Sequence, residues 1–496
     1  MVAVTPHDDA RLRYAWRVCS VTGLGLVLIG IAGSTLNVAL PTVVRHFHAG
    51  PLESGWILLS FLLVNTASLV FFGRVADLLG RREVYLTGFA LFTLASLLAG
   101  LSPDVWFLVA MRVLQAAGAA MILANGTVII TDAFPPERLS QGMGVYIGTL
   151  SVAQLAGPTL GGLIAEAAGW QWIFWVNVPA GLLAFGWGAA ILKRMPRRPR
   201  QPVDALGNVL LFAALSALLL ALSEAGSRGP GSPVVIAAAA VFALLVPLIV
   251  LAERRSANPV LDLRLFAGRL LAFANLASFC NALARSALIL VVALYFQAAR
   301  GLDAFQAGLS VLPVPAGIGL ASPLVGLLGR RVSPYALSIG GAALSATGLG
   351  LLLPATDPGT PYWVVAIALF LAGCGSGTFL TGNTTYVMRA LPGDSLGVVN
   401  GFRVMIMNVG IVLSVGISLS VLTSSVGPRL RAQVYAGTLS RLSPVALDQL
   451  MAGFQRAYAV LFTVALAGAV LAALARPRRR PGGPDPAARQ QGGERL

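Results

Sequence analysis

Long apolar stretches alternate with short polar or charged connections along the whole chain. Each stretch holds about 20 residues, and a helix of that length crosses a hydrocarbon core of roughly 30 Å. The strict alternation of apolar and polar positions that is typical of outer-membrane strands does not occur in these stretches. The pattern therefore predicts an all-α integral membrane protein whose spans are helices.

Counting the apolar windows gives fourteen predicted transmembrane helices. They are residues 19–40, 53–72, 84–102, 106–130, 141–165, 171–192, 206–224, 233–252, 270–293, 305–328, 336–354, 362–384, 399–424 and 456–475. An even number of spans places both termini on one side of the membrane. Most Lys and Arg residues fall in segments on that same side, so the positive-inside rule predicts that both termini are cytoplasmic. We expect a multi-pass protein of the cytoplasmic membrane.

The polar segments divide these windows into groups of six, two and six. The breaks are the basic, Pro-rich linker 193–202 and the charged stretch 253–269. The predicted units are a cytoplasmic N-terminus (1–18), an N-terminal six-helix bundle (19–192), a linker with two extra transmembrane helices (193–269), a C-terminal six-helix bundle (270–475) and a basic cytoplasmic tail (476–496).

The composition excludes a soluble globule, because 57% of the residues are hydrophobic and only 11% are charged. The net charge of +16 could suggest nucleic acid, but the basic residues sit in linkers and in the tail beside the spans. Anionic lipid headgroups are therefore the predicted partner, with no nucleic acid. The three cysteines lie in or beside apolar windows without a regular spacing, so we expect neither a disulfide framework nor a metal site, and no cofactor.

A charged loop follows the second window and carries the most specific motif of the chain. It reads Gly-Arg-Val-Ala-Asp-Leu-Leu-Gly-Arg-Arg from Gly73 to Arg82. This string resembles the cytoplasmic loop between spans two and three of major facilitator superfamily transporters. The resemblance implies a conformational lock, formed by Gly73, Asp77, Gly80, Arg81 and Arg82. The alternative for Arg81 and Arg82 is a purely topogenic role.

The fifth window carries a second motif of small residues with one proline. Its members are Gly144, Ala153, Gly157, Pro158, Gly161 and Gly162. It resembles the antiporter motif of the fourteen-span drug:proton antiporter branch, and the Trp-rich string 170–181 that follows is also typical of that branch. Small residues at helical spacing let helices approach closely, and a proline bends a helix. Taken alone, the string would also fit ordinary packing in a membrane bundle.

The resemblance implies a secondary transporter that exports lipophilic drugs or antibiotics by alternating access. Two bundles of inverted repeats would surround a central site near the midplane. Because no ATP-binding loop of the Gly-x4-Gly-Lys-Ser/Thr type occurs, either an ion gradient or the gradient of the substrate itself would supply the energy, and the resemblance implies protons as the ion. The alternative is an uncoupled facilitator or a metabolite exporter of the same fold. We expect no enzyme activity, and a monomer.

Polar residues within the apolar windows are candidates for the substrate cavity. They are Asn37, Arg112, Gln115, Gln154, Asn281 and Arg285. Placing an arginine in the hydrocarbon core costs several kcal/mol of free energy unless the side chain contacts water or an opposite charge. Each arginine within a window is therefore a functional candidate. Arg403 lies nearer the predicted cytoplasmic end of its window, where it could snorkel to the interface.

The first window departs from the family at one position. Where related transporters carry an acid that can exchange protons, this chain has Ala32. The remaining proton-carrier candidates are peripheral: Asp77, Glu166 and Glu224, each of which could instead be a helix-end charge. A cavity with arginines and no acid predicts neutral or anionic substrates over cations.

Overall fold

The computed structural model describes residues 6–49, 51–194, 205–228, 231–255, 268–302, 304–329, 331–354, 359–391, 396–423 and 444–476. Within these ranges the backbone forms α-helices and short connections, with one 3-10 turn at Pro136–Arg138 and no β-strand. The helices are α1 (Pro6–Phe47), α2 (Pro51–Leu79), α3 (Arg81–Ala99), α4 (Val105–Ala133), α5 (Leu139–Ala167), α6 (Trp172–Trp175), α7 (Asn177–Ile191), α8 (Ala205–Arg228), α9 (Pro233–Arg255), α10 (Arg269–Arg300), α11 (Ala304–Ser310), α12 (Pro313–Leu328), α13 (Pro334–Leu351), α14 (Tyr362–Ala390), α15 (Leu396–Thr423) and α16 (Pro444–Leu474).

Every predicted window overlaps at least one of these helices. Eleven of the described helices, or helix pairs, are long and apolar enough to cross a membrane by length and composition. The prediction of an all-helical protein with several spans is therefore confirmed at that level, while the number fourteen stays a prediction.

Local sequence signals set several helix ends. The Asp104 carboxylate accepts hydrogen bonds from the backbone N–H groups of Trp106 and Phe107, both at 2.9 Å, and so caps the start of α4. At the end of α10, Gly301 adopts a left-handed conformation with φ of 63°, which closes the helix.

The first helix extends far beyond its apolar window. It starts at Pro6, although the window starts only at residue 19. Its polar first turns are held by neighbours, since Trp16 packs edge-on against Phe134 at 5.2 Å. Further along, Ser20 accepts a hydrogen bond from the Trp187 indole. Residues expected to form a tail therefore continue the helix.

Two groups of helices share the core. We call α1 to α7 the first helix group (6–191) and α10 to α16 the second helix group (269–474), because helices pack mainly within each set. The two remaining helices, α8 and α9, pack against each other, and α8 also packs against α2 and α15. The groups meet along two seams, one between α2 and α15 and one between α5 and α12.

Chain direction gives the molecule two ends. We call the end that holds Gly80 and the start of α1 the basic end, and the opposite end the far end. Helices α1, α3, α5 and α15 run from the basic end to the far end, whereas α2, α4, α12 and α14 run back.

Candidate functional site

At the basic end, α2 and α15 touch through their backbones. A Cβ atom built on Gly397 would lie 2.7 Å from the carbonyl oxygen of Gly73, so neither position has room for a side chain without a shift. One turn further along α15, a Cβ on Gly401 would lie 2.6 Å from the carbonyl oxygen of Leu69. Glycine therefore permits the contact that closes this seam.

Asp77 stands at the same contact and touches both helix groups. Its carboxylate forms an ion pair with Arg81 of the first group, with Arg81 Nη2 at 3.1 Å, and Arg81 also binds Asp132. A Cβ on Gly397 would lie within 2.9 Å of both Asp77 oxygens. The carboxylate thus borders the first turn of α15, where the helix dipole favours a negative charge.

The other members of the loop motif have local roles. Gly80 connects α2 to α3 with φ of 109°, a conformation that L side chains rarely adopt. Arg82 donates hydrogen bonds from Nε and Nη2 to the carbonyl oxygens of Leu192 and Ala189, at 2.6 and 2.9 Å. It therefore caps the end of α7 inside the first group. These contacts give Arg81 and Arg82 structural partners, while the lock itself stays a prediction.

Helix α5 uses its small residues on two faces. Gly144 approaches α12, where its Cβ would lie 3.1 Å from the Cα of Gly326. Gly161 approaches α1, where its Cβ would lie 2.7 Å from the backbone of Thr35, and Gly157 lies against Ser34 on the same face. Helix α5 thus binds its own group and the opposite group. Pro158 and Gly162 lie within α5, but their contacts lie outside the described part of the structure.

Several polar contacts between the groups were not predicted from the sequence. Asn400 of α15 donates a hydrogen bond to the Ala124 carbonyl of α4 at 2.9 Å, and Asn408 donates to the Thr66 hydroxyl of α2 at 3.1 Å. Near the basic end, Arg389 donates to the carbonyl oxygen of Pro136. The available signal was the presence of two asparagines inside an apolar span, since such residues need partners in a membrane.

Toward the far end the groups separate along the α5 seam. A cavity of about 1050 Å³ lies between α5 on one side and α11, α12 and α14 on the other. Gln154, a predicted cavity residue of α5, is exposed at this depth. The side chain of Asn37, also predicted to line the cavity, lies outside the described residues.

Arg112 and Gln115 form one network inside the first group. Arg112 is 2% exposed and donates from Nη1 to Gln115 Oε1 at 2.5 Å, and Gln115 donates to the Ser96 hydroxyl at 2.8 Å. The guanidinium also lies 4.2 Å from the centre of the Phe61 ring, which stabilises a cation. These two residues share a site as predicted by their spacing, but they are enclosed by α2 and α3.

Arg285 occupies the middle of α10 in the second group. Asn281, one turn before it, donates to the Ser376 hydroxyl of α14 at 3.2 Å. Arg285 is half-buried, and its buried Nε has no hydrogen-bond partner among the residues that the structure describes. A guanidinium only donates hydrogen bonds, so an anionic group is the partner that suits Arg285.

Arg403 does not snorkel. It is 5% exposed, and its Nη1 contacts the sulfur of Met407, one turn toward the far end. Arg403 lies two residues after Gly401 and is therefore close to the closed contact between α2 and α15.

The described charges leave the interior positive. None of Arg112, Arg285 and Arg403 has an ion-pair partner within the ranges given above. Among the proton-carrier candidates, Asp77 is paired at the basic end and Glu224 is buried on α8, with 8% of its surface exposed. The side chain of Glu166 lies outside the described residues.

Comparison with known proteins decides the family. The family model described as "Major Facilitator Superfamily" matches residues 22–257 and 274–496. The chain belongs to the major facilitator superfamily. The "Multidrug resistance protein Stp" of Mycobacterium tuberculosis is 32% identical over 382 residues, which cover 77% of this chain and 71% of the relative. The "Tetracenomycin C resistance and export protein" of Streptomyces glaucescens is 28% identical, covering 96% of this chain and 94% of the relative.

Solved structures agree on the superfamily fold. The crystal structure of the human organic anion transporter MFSD10 superposes with a TM-score of 0.64 at 17% identity, covering 92% of this chain and 99% of that one. The chain is thus a multi-pass membrane transporter of small molecules and not an enzyme.

Proposed function

We propose that this transporter exports lipophilic drugs or antibiotics across the cytoplasmic membrane by alternating access. The observation that carries the proposal is the asymmetry of the α5 seam, where Gly144 closely approaches the backbone of α12 toward the basic end and a cavity lies between the groups toward the far end. Such an arrangement suits one of two alternating states. The names of the two relatives, a multidrug resistance protein and an antibiotic export protein, support drugs as the substrate class.

The proposal places the basic end and both termini in the cytoplasm. The excess of arginine in the segments at that end supports this orientation. The described state would then be open to the outside. Two six-helix bundles of inverted repeats, with α8 and α9 as two extra spans, would give fourteen spans; the overlap of every predicted window with a helix supports that number.

The substrate would be neutral or anionic. A cation held about 4 Å from an arginine, at an effective dielectric near 20, would be repelled by roughly 4 kcal/mol. Arg285 is the residue best placed to bind an anionic group, because it is half-buried and its Nε has no hydrogen-bond partner among the described residues. Arg112 would act indirectly, since Gln115 and Phe61 already satisfy it.

Coupling to protons is the further part of the proposal. Glu224 is the favoured carrier, because it is an acid buried within a helix, with 8% of its surface exposed. The second candidate function is an uncoupled facilitator or metabolite exporter. It is favoured by one observation: the acidic residues of the described helices all lie toward helix ends, and Ala32 occupies the position of the family's acid.

Transport into inverted membrane vesicles tests both candidates. The probes are dansyl-undecanoic acid, an anionic amphiphile, and ethidium, a permanent cation. We expect uptake of the anionic probe that increases with an imposed pH gradient and decreases in Glu224→Gln. Uptake that is independent of the gradient would favour the facilitator. Strong, gradient-driven uptake of ethidium would contradict the predicted charge preference.

A further inference from the structure

Polar side chains connect α10 with α14 inside the second helix group. Asn383 of α14 donates hydrogen bonds to the Ser278 hydroxyl at 2.6 Å and to the Ala274 carbonyl at 3.2 Å. Further toward the far end, Asn281 of α10 donates to the Ser376 hydroxyl at 3.2 Å. We call these contacts between the two helices the polar ladder. Each of them satisfies polar groups that are buried within apolar helices.

Arg285 continues the polar ladder by one turn of α10. Ser278, Asn281 and Arg285 are three and four residues apart, and residues at this spacing lie on one face of a helix. Toward the far end, α14 shares a hydrophobic cluster with α10 through Leu369 and Ala372, which offer no polar side chain. The ladder therefore ends at a cation for which this part of α14 provides no polar group.

Two buried atoms at this end of the ladder lack a hydrogen-bond partner among the described residues. They are Asn281 Oδ1, which is an acceptor, and Arg285 Nε, which is a donor. Asn281 is 7% exposed, and the bond from its amide nitrogen to Ser376 holds the side chain in place. Leaving a buried polar atom unsatisfied is unfavourable, so a bound group that offers both a donor and an acceptor would be stabilised here.

The accessible part of Arg285 lies on the inner side of α10. Leu276, which is 46% exposed, precedes Arg285 by nine residues, or about two and a half helical turns, and so lies on the opposite side of the helix. In a bilayer that opposite side contacts hydrocarbon, where a guanidinium would be costly. Arg285 is half-buried on the side that faces α14, so part of its side chain can be contacted from the interior of the protein.

We propose that Asn281 and Arg285 together select substrates that carry a hydroxyl or N–H donor close to an anionic group. The inference rests on the proposed function and narrows its substrate class. The donor of the substrate binds Asn281 Oδ1, and the anionic oxygen binds the Arg285 guanidinium. Side chains four residues apart have Cβ atoms about 5–6 Å apart, so two groups on one aromatic ring can contact both residues. A carboxylate alone satisfies only Arg285, because it has no proton to donate to Asn281.

Three naphthoic acids test this preference in the full-length wild-type protein. The probe 4-hydroxy-2-naphthoic acid carries a hydroxyl that is too far from its carboxylate for an internal hydrogen bond. The 4-methoxy analogue and plain 2-naphthoic acid have the same charge but no donor, and the latter also controls for bulk. We expect the hydroxy acid to enter inverted vesicles with an apparent KM about tenfold lower, as expected from one additional buried hydrogen bond. It should also stabilise the purified protein against heat more than the other two.

Variants assign the preference to its two residues. Asn281→Leu removes the acceptor at similar volume, so it should raise the KM for the hydroxy acid about tenfold and leave that for 2-naphthoic acid nearly unchanged. Arg285→Gln should weaken all three probes, because each carries the carboxylate. The matched control is Asn383→Leu, the same exchange at a buried amide of the ladder that already binds Ser278. It should keep the preference for the hydroxyl, and a preference that survives in Asn281→Leu would overturn the assignment.

The two readouts separate this inference from the function on which it rests. If the wild type exports dansyl-undecanoic acid but binds the three naphthoic acids equally or not at all, the preference is wrong and export stands. A water molecule that merely fills the gap would give this same result. If the wild type exports no probe, yet the hydroxy acid stabilises it most and Asn281→Leu abolishes the difference, the binding site stands and the export function fails. Neither export nor selective stabilisation would overturn both.

Discussion

The Asp77 carboxylate contacts both helix groups. It pairs with Arg81 in its own group and borders the first turn of α15 in the other. The pair with Arg81 is nearly enclosed, with both side chains less than a tenth exposed, so removing Arg81 would take an ion pair from a buried carboxylate, whereas removing Asp77 would leave Arg81 its pair with Asp132. The residue therefore links the stability of the first group to contact with the second.

Replacing Asp77 by Asn should reduce transport sharply while the protein still reaches the membrane. The amide keeps the shape of the side chain but loses the charge that favours the start of α15. Initial rates in vesicles, normalised to membrane protein by immunoblot, give the measurement. Asp132→Asn is the matched control, because Asp132 binds the same arginine without bordering α15, and we expect a smaller loss there. Equal activity in the wild type and in Asp77→Asn would contradict the predicted role of Asp77 as a conformational lock.

Arg285 is the residue that we expect to determine the preference for anionic substrates. Arg285→Gln is expected to weaken export of dansyl-undecanoic acid about tenfold, and Arg285→Lys should retain part of it, since lysine keeps the charge but loses the planar fork. Arg403→Lys controls for general disturbance of buried cations, because Arg403 is enclosed by Met407. If Arg285→Gln left the apparent KM for the anion unchanged, the assignment would be wrong.

The helices show which parts of the sequence carry reliable information. Window lengths predicted the helices because crossing the bilayer imposes a minimum apolar length. The boundaries failed where packing outweighs hydropathy, as in α1, where Trp16, which precedes the apolar window, packs against Phe134. The hydrogen-bond partners of individual residues could not be predicted from the sequence either. The contact of Asn400 with Ala124 joins residues 276 positions apart, and no local pattern specifies such a pair.

Glycine contacts between elements can be tested within α15 alone. Gly397→Ala adds a Cβ that would lie 2.7 Å from the Gly73 carbonyl, so we expect the closed basic end to be destabilised and transport to fall. Gly416→Ala is the control, since nothing lies within 4 Å of its Cβ position. There the exchange should be neutral or stabilising by up to about 1 kcal/mol. Thermal unfolding in detergent and vesicle transport distinguish the two; equal behaviour would mean that the seam does not close through this contact.

At the scale of the whole molecule, the fold could be predicted and the state could not. Span lengths and the motifs around Gly73 and Gly144 indicated the superfamily, because membrane insertion and close helix contact both leave local sequence traces. Which end of the seams is closed depends on the balance of many weak contacts between distant helices. No local sequence pattern encodes that balance. The exposed Gln154 and the enclosed Gln115 illustrate this, since both are single glutamines in apolar helices.

Orientation is the prediction that belongs to this scale. Reporter fusions after residue 496 and at the N-terminus should both give cytoplasmic signals, because the arginine-rich segments resist translocation. A fusion inserted near His48, between α1 and α2, should report the opposite side and serves as the internal control. A periplasmic C-terminus would require an odd number of spans.

The closed seam between α2 and α15 is made largely of main-chain atoms, and this affects how the protein can diversify. A carbonyl oxygen is the same whatever residue carries it, so mutations at interior positions such as Arg285 or Gln154 leave the opposing surfaces of Gly73 and Gly397 untouched. Under the proposed alternating-access cycle, selection can therefore change which compounds are recognised without rebuilding this seam. If the proposed export of drugs is correct, variants with a new resistance spectrum are expected to carry interior substitutions and to spare these glycines.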